Sequence, residues 1–128
     1  MLSSAGQVRI FLCTEPTDMR KSFNALRGIV SQAMLLDPLS GHLFVFRNKK
    51  GDRLKALWWD MDGLALWYKA LQRGTFQFPD LSNYKSSGVE IDAQTLRLIL
   101  DGIDLSTIKR RNRYRVAEEF IAPHTVAV

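Results

Sequence analysis

A single α+β domain is the fold class this chain predicts, with a strand and an amphipathic helix at its start, an antiparallel β-meander at its centre and a short helix before a basic tail. Three patterns carry that expectation. Residues 8–13 are rich in strand formers, residues 19–34 repeat apolar side chains at near-helical spacing, and two short aromatic and branched segments, 42–47 and 54–59, flank a turn-forming pentapeptide. The expected boundaries are residues 1–108 for the domain and 109–128 for the tail, the latter weakly patterned and expected to be partly disordered when alone.

Each element follows from local chemistry. Val8, Ile10, Phe11, Leu12 and Cys13 form the first strand, and Thr14, Glu15 and Pro16 break it, leaving Thr17 or Asp18 to cap a helix. Along that helix Phe23, Leu26, Val30 and Ala33 make the apolar stripe, with Arg20, Lys21, Asn24, Arg27 and Ser31 on the other face, ending near Met34 before the Asp37-Pro38 turn. Asn48 and Gly51 suit the reversal between the two central strands. After a second turn at Asp60, Met61, Asp62 and Gly63, two periods compete over residues 64–71. Leu64, Leu66 and Tyr68 alternate as in a strand, whereas Leu64, Trp67, Tyr68 and Leu71 fit a helix. The preceding Asp-Gly turn favours a third meander strand. Residues 80–88 read as a mobile polar connection, after which Asp92 caps a short helix carrying Leu96, Ile99 and Leu100 and Gly102 stops it. The chain contains no internal repeat or low-complexity block.

Bulk properties narrow the function. The 128 residues, 46% of them hydrophobic, suffice for one modest core without staples. Eighteen Lys and Arg against thirteen Asp and Glu leave a net charge of +5, which favours an anionic partner. With one cysteine, Cys13, no intrachain disulfide can form, and a reducing cytoplasm is the expected compartment. The start of the chain lacks the pattern of a secretory signal, and no apolar run is long enough to span a bilayer.

The strongest candidates for contact with a partner are cationic. Lys109, Arg110, Arg111, Arg113 and Arg115, beside Tyr114, can neutralise phosphates and stack on an exposed base, a sequence-independent and salt-sensitive mode of binding DNA. Arg47, Lys49, Lys50, Arg53 and Lys55 form a second group round the hairpin tip, with Arg20, Lys21 and Arg27 as an extension. The plainer reading is that these charges solubilise a turn and blunt a sheet edge.

Other chemistry is poorly served. Asp60 and Asp62, with Asp18 and Asp52 as neighbours, are the nearest approach to a two-metal carboxylate site, yet a turn wants Asp for its own hydrogen bonds. Cys13 would need His42 or His124 as a base and reads more simply as a core residue. One cysteine and two distant histidines cannot supply zinc-ligand spacing, and Gly41, Gly51 and Gly63 fall in separate turns rather than in a phosphate-binding loop. No metal or other cofactor is expected. Phe44, Phe46, Trp58, Trp59, Trp67, Tyr68, Phe76 and Phe78 should mostly face the core, and any left exposed would form a docking patch for a protein partner or for a homo-oligomer.

Several ordered stretches resemble one known family. They are Asp18-Met19-Arg20-Lys21-Ser22-Phe23, the run from Asp37-Pro38-Leu39-Ser40-Gly41-His42 to Arg47, Leu54-Lys55-Ala56-Leu57-Trp58-Trp59-Asp60, Gly74-Thr75-Phe76-Gln77-Phe78-Pro79, Leu98-Ile99-Leu100-Asp101-Gly102-Ile103-Asp104 and the basic end, so that nearly the whole chain from Val8 to about Arg115 takes part. Together they resemble the TnpB accessory proteins, or second open reading frame, of the bacterial insertion-sequence family numbered sixty-six. The chain departs from the family's usual pattern at Asn24-Ala25, at Lys69-Ala70-Leu71-Gln72 and at Phe78. The resemblance implies a non-catalytic helper in DNA transposition, working beside a separate, larger transposase that carries the catalytic carboxylates, and it supplies no catalytic residues. Expected partners are therefore DNA, held largely by its phosphates, and the transposase or other element-encoded proteins. The alternatives are a protein-interaction module that touches no nucleic acid and, less favoured, a metal-dependent nuclease using Asp60 and Asp62.

Overall fold

The computed structural model describes residues 6–102, and the tail expected over residues 109–128 lies outside them. The described elements run β1 (Ile10–Cys13), α1 (Phe23–Gln32), β2 (Leu43–Arg47), β3 (Arg53–Asp60), β4 (Gly63–Ala70), β5 (Gly88–Ile91) and α2 (Ala93–Leu100), an α+β arrangement. The strands form one sheet in the order β4-β3-β2-β1-β5.

The meander is the expected one. β2 pairs antiparallel with β3 from Phe44↔Leu57 to Arg47↔Leu54, and β3 pairs antiparallel with β4 from Arg53↔Ala70 to Asp60↔Gly63. Each residue of β4 thus finds a partner on β3, which resolves the competition between periods in favour of alternation. The first turn is built by Asn48, whose Oδ1 accepts from the N–H groups of Gly51 and Arg53 while its Nδ2 donates to Asp52. Gly51 sits there at φ 84°, a conformation that side-chain-bearing residues adopt at a cost. At the second turn Met61 itself takes φ 59° and is 74% exposed.

β5 is a strand that local pattern did not assign, since order there was expected only to resume at Val89. It lies antiparallel to β1, with Ile10↔Ile91 and Leu12↔Val89, while β1 runs parallel to β2 on its other side. A parallel pair needs a crossover connection, and α1 supplies it. The β1–β5 seam is tied by a bidentate pair in which Arg9 Nε donates to Glu90 Oε2 at 3.0 Å and Nη2 to Oε1 at 2.6 Å. This guanidinium also lies over the Phe11 ring, 5.2 Å from its centroid.

α1 begins at Phe23 after Ser22, later than the cap expected at Thr17 or Asp18, and Ser22 makes no side-chain capping bond. The physical reason lies on β3. Lys55 Nζ donates to the carbonyls of Met19 at 2.8 Å and Lys21 at 2.7 Å, two acceptors that an earlier helix start would have used within its own ladder. Asp18 instead accepts from the backbone and guanidinium of Arg20. The buried stripe of α1 is Leu26 and Val30, continued beyond the helix by Met34 and Leu36, whereas Phe23 and Ala33 are exposed.

Alternation divides the sheet between two apolar layers. On one face Phe11, Cys13, Phe44, Phe46 and Leu57 pack under Leu26, Val30, Met34 and Leu36. On the other, Ile10, Leu12, Val45, Leu54, Ala56 and Ile91 pack under Phe76 and Ile99 of α2. α2 is capped as expected: Asp92 Oδ1 accepts from the Thr95 N–H at 2.7 Å, and Gly102 turns the chain away at φ 77°.

Two stability measurements follow. Arg9→Met leaves the Glu90 carboxylate buried without its guanidinium and should lower unfolding free energy by about 3–5 kcal/mol in urea denaturation, with Glu90→Gln in the same background recovering part of the loss. Met61→Gly should raise stability by roughly 1 kcal/mol, because glycine takes the left-handed conformation without the Cβ penalty and the methionine buries little. A neutral or negative effect would show that the turn is not strained by its side chain.

Candidate nucleic-acid interface

Of the cations expected to meet phosphate, Lys109, Arg110, Arg111, Arg113 and Arg115 lie outside the described residues, as does Tyr114. The hairpin group is described, and the fold spreads it over different environments. Lys49 and Lys50 stand exposed at the tip, above a turn fixed by the Asn48 side chain. Lys50 lies 4.0 Å from Asp52 on a side chain that is 82% exposed, a contact too solvated to occupy it. Arg53 is exposed on the stem and donates to the Tyr68 hydroxyl at 2.8 Å, which raises its already high pKa.

Arg47 is half-buried. Its Nη1 donates to the Phe76 carbonyl at 2.8 Å and its guanidinium stacks on Phe78, 4.0 Å from the ring centroid, while burial pushes its pKa down. Its first task is to fasten residues 76–78 to the sheet.

Lys55 needs correction as a surface candidate. Only 5% exposed, its ammonium is held by the Met19 and Lys21 carbonyls and lies 4.7 Å from the centre of the Tyr68 ring. Alternation along β3 turns Lys55 to the same face as Leu57, under the segment that leads into α1. A lysine among hairpin cations gave no local sign of this, because both of its acceptors lie more than thirty positions away.

Two exposed cations not proposed from the sequence join the tip. Register places Lys69 opposite Leu54, and the Leu71 N–H donates to the Asp52 carbonyl at 2.8 Å, so the segment carrying Arg73 passes beside the turn. The sign was present in the meander itself, since one tight turn of known length, between Asp60 and Gly63, brings residue 70 opposite residue 53. Arg20, Lys21 and Arg27 are exposed on or before α1, Arg20 being engaged by Asp18, whose carboxyl it holds well below the usual range.

The carboxylates do not converge. Asp18 is taken by Arg20 and Asp52 by Asn48, and among the described residues no group of three His, Cys, Asp or Glu side chains is placed to hold a metal ion. Cys13 is buried, and burial pushes its thiol up, toward the unreactive protonated form. Of the aromatic set, Phe44, Phe46 and Phe76 are fully buried, whereas Trp67 and Tyr68 are 40% and 45% exposed on β4, an edge strand. None of the described helices is long and apolar enough to cross a membrane.

Comparison with known proteins places these residues in context. The model of the family TnpB_IS66, described as IS66 Orf2 like protein, matches residues 8–110. The uncharacterized protein y4jC of Sinorhizobium fredii (strain NBRC 101917 / NGR234) is 35% identical over 111 residues, covering 87% of this chain and 92% of that protein. The uncharacterized protein y4hO of the same strain is 39% identical over 104 residues, covering 81% of this chain and 88% of the relative. No solved structure matches the chain.

Lys55→Met should destabilise the protein by roughly 2–3 kcal/mol, since two carbonyls lose a charged donor in a buried setting. The amide exchange of residues 19–22 should rise with it. Unchanged stability would mean that the loop before α1 does not depend on this ammonium.

Proposed function

The chain belongs to the IS66 Orf2-like family, which implies an accessory role in transposition, and from that premise we propose that it works in the cytoplasm as a non-catalytic DNA-associated factor that helps position the transposase on the ends of its element. The contacts are made by Lys109, Arg110, Arg111, Arg113 and Arg115, with Tyr114 stacking on an exposed base, and extended by Lys49, Lys50 and Arg53 at the hairpin tip. One observation carries the reading. The fold engages Arg9, Arg47 and Lys55 in internal contacts but leaves Lys49 and Lys50 solvated on a turn that is itself tightly hydrogen-bonded. A rigid turn bearing free cations suits the DNA backbone, which is neutralised without regard to sequence.

A second reading has its own support in Trp67 and Tyr68. Two large rings exposed on an edge strand favour a protein contact, and the transposase is the partner at hand. Such binding would persist at high salt and require no DNA.

Fluorescence anisotropy with an element-end duplex over a salt series separates the two. Replacing the five tail cations by Ala should weaken binding evenly across DNA sequences and flatten the slope of log K against log salt by about 0.9 for each phosphate no longer neutralised. Lys49→Ala with Lys50→Ala should act in the same sense and more weakly. Affinity and slope unaltered by both sets would remove DNA from the account.

A further inference from the structure

We propose that the outer edge of β4 is a homodimer interface, on which a second copy of the chain lays its own β4 antiparallel about a two-fold axis at Trp67. β4 closes one side of the sheet, and among the described residues no strand lies beyond it. Its outward backbone groups can be assigned. The Asn48 N–H donates to the Arg53 carbonyl on the β2 side, whereas the Leu71 N–H donates to the Asp52 carbonyl on the β4 side. Alternation along an antiparallel ladder then turns the N–H and C=O groups of Ala65, Trp67 and Lys69 toward β3 and those of Leu64, Leu66, Tyr68 and Ala70 outward. This edge has few of the features that keep strands apart, being eight residues long, unbroken in register and free of proline, with Lys69 its one charge. β5, at the opposite edge, is four residues long and buried throughout.

The edge is complementary to itself. β4 starts from a turn carrying Asp60 and Asp62 and runs on through Lys69 toward Arg73, so antiparallel pairing lays the acidic end of one copy beside the basic end of the other. With the axis at Trp67, Leu64 faces Ala70 and Leu66 faces Tyr68 of the second copy, and all four outward residues exchange their hydrogen bonds. An axis at Leu66 or at Tyr68 would instead set an outward residue against Asp62 in the turn or against Gln72 past the strand. The two Trp67 rings, each 40% exposed in the single chain, then meet at the axis, and Tyr68, 45% exposed, is covered by Leu66 of the second copy. Lys69 faces Ala65 and stands about 14 Å along the strands from its counterpart, beyond the screening length of about 8 Å at physiological salt. That spacing suits a chain of net charge +5.

The inference is independent of the DNA reading, and it gives Trp67 and Tyr68 a partner other than the transposase. Light scattering on the full chain, without DNA, should return about twice the 14.6 kDa of one chain at high concentration. Hydrogen exchange should show the amides of Leu64, Leu66, Tyr68 and Ala70 losing protection on dilution. Facing residues that are not hydrogen-bonded hold their Cα atoms about 4.5 Å apart, within disulfide reach, so Trp67→Cys should cross-link on mild oxidation and Lys69→Cys should not. Cys13 is buried and takes no part. Trp67→Lys and Trp67→Glu should each be monomeric and should dimerise when mixed. A parent chain that stays monomeric at every concentration, a cross-link through Lys69→Cys in place of Trp67→Cys, or a dimer mass that neither Trp67 variant lowers would overturn the proposal. Edge amides protected in a monomer would overturn it as well, assigning the edge to another segment of the same chain.

Discussion

A sheet that carries apolar side chains on both faces needs two covers, and the described residues supply one helix of ten residues and one of eight. The face bearing Phe11, Phe44, Phe46 and Leu57 receives α1 with its continuation through Met34 and Leu36, and there the layer is closed. The opposite face receives α2 and the Phe76 side chain, which bury Ile10, Leu12, Val45, Leu54, Ala56 and Ile91, while Trp67 on β4 stays 40% exposed. Strand order explains that exposure, because β4 is the edge of the sheet opposite β5.

The same accounting applies to charge. A small basic domain cannot leave every cation in solvent if some must also hold its parts together. Arg9 binds β1 to β5 through Glu90, Lys55 holds the segment before α1 through two carbonyls, and Arg47 fastens the chain at Phe76 and Phe78. Each of these lies against a ring or carboxylate in a partly dry setting, where a hydrogen bond to a charged group is worth more than in water. Those left free, Lys49 and Lys50 foremost, lie where the fold makes no demand on them. Membership of a family tied to an insertion sequence gives that surplus a setting in transposition.

Sequence made some of this legible and hid the rest, according to how local each cause was. Asn48, Gly51 and the Asp60–Gly63 turn act within a few residues, so the meander could be read from them. Asp92 and Gly102 bound α2 for the same reason. β5 was hidden because it is four residues long, carries a charge at its centre, and is stabilised by a partner eighty-one positions away. The late start of α1 was hidden in the same manner, because the donor that claims the Met19 and Lys21 carbonyls stands on β3. For Lys55, residue type argued for the surface and strand alternation argued for the interior. Alternation prevailed because carbonyls were waiting there.

The central proposal is that the exposed cations of the hairpin tip, together with the basic run at 109–115, meet DNA. Amide-resolved NMR of the full chain during titration with an element-end duplex tests it most directly. The account predicts shifts concentrated at Lys49, Lys50, Arg53 and residues 109–115, with the amides of β1 and α1 unmoved. Shifts confined to Trp67 and Tyr68, or none at any DNA concentration in low salt, would contradict it.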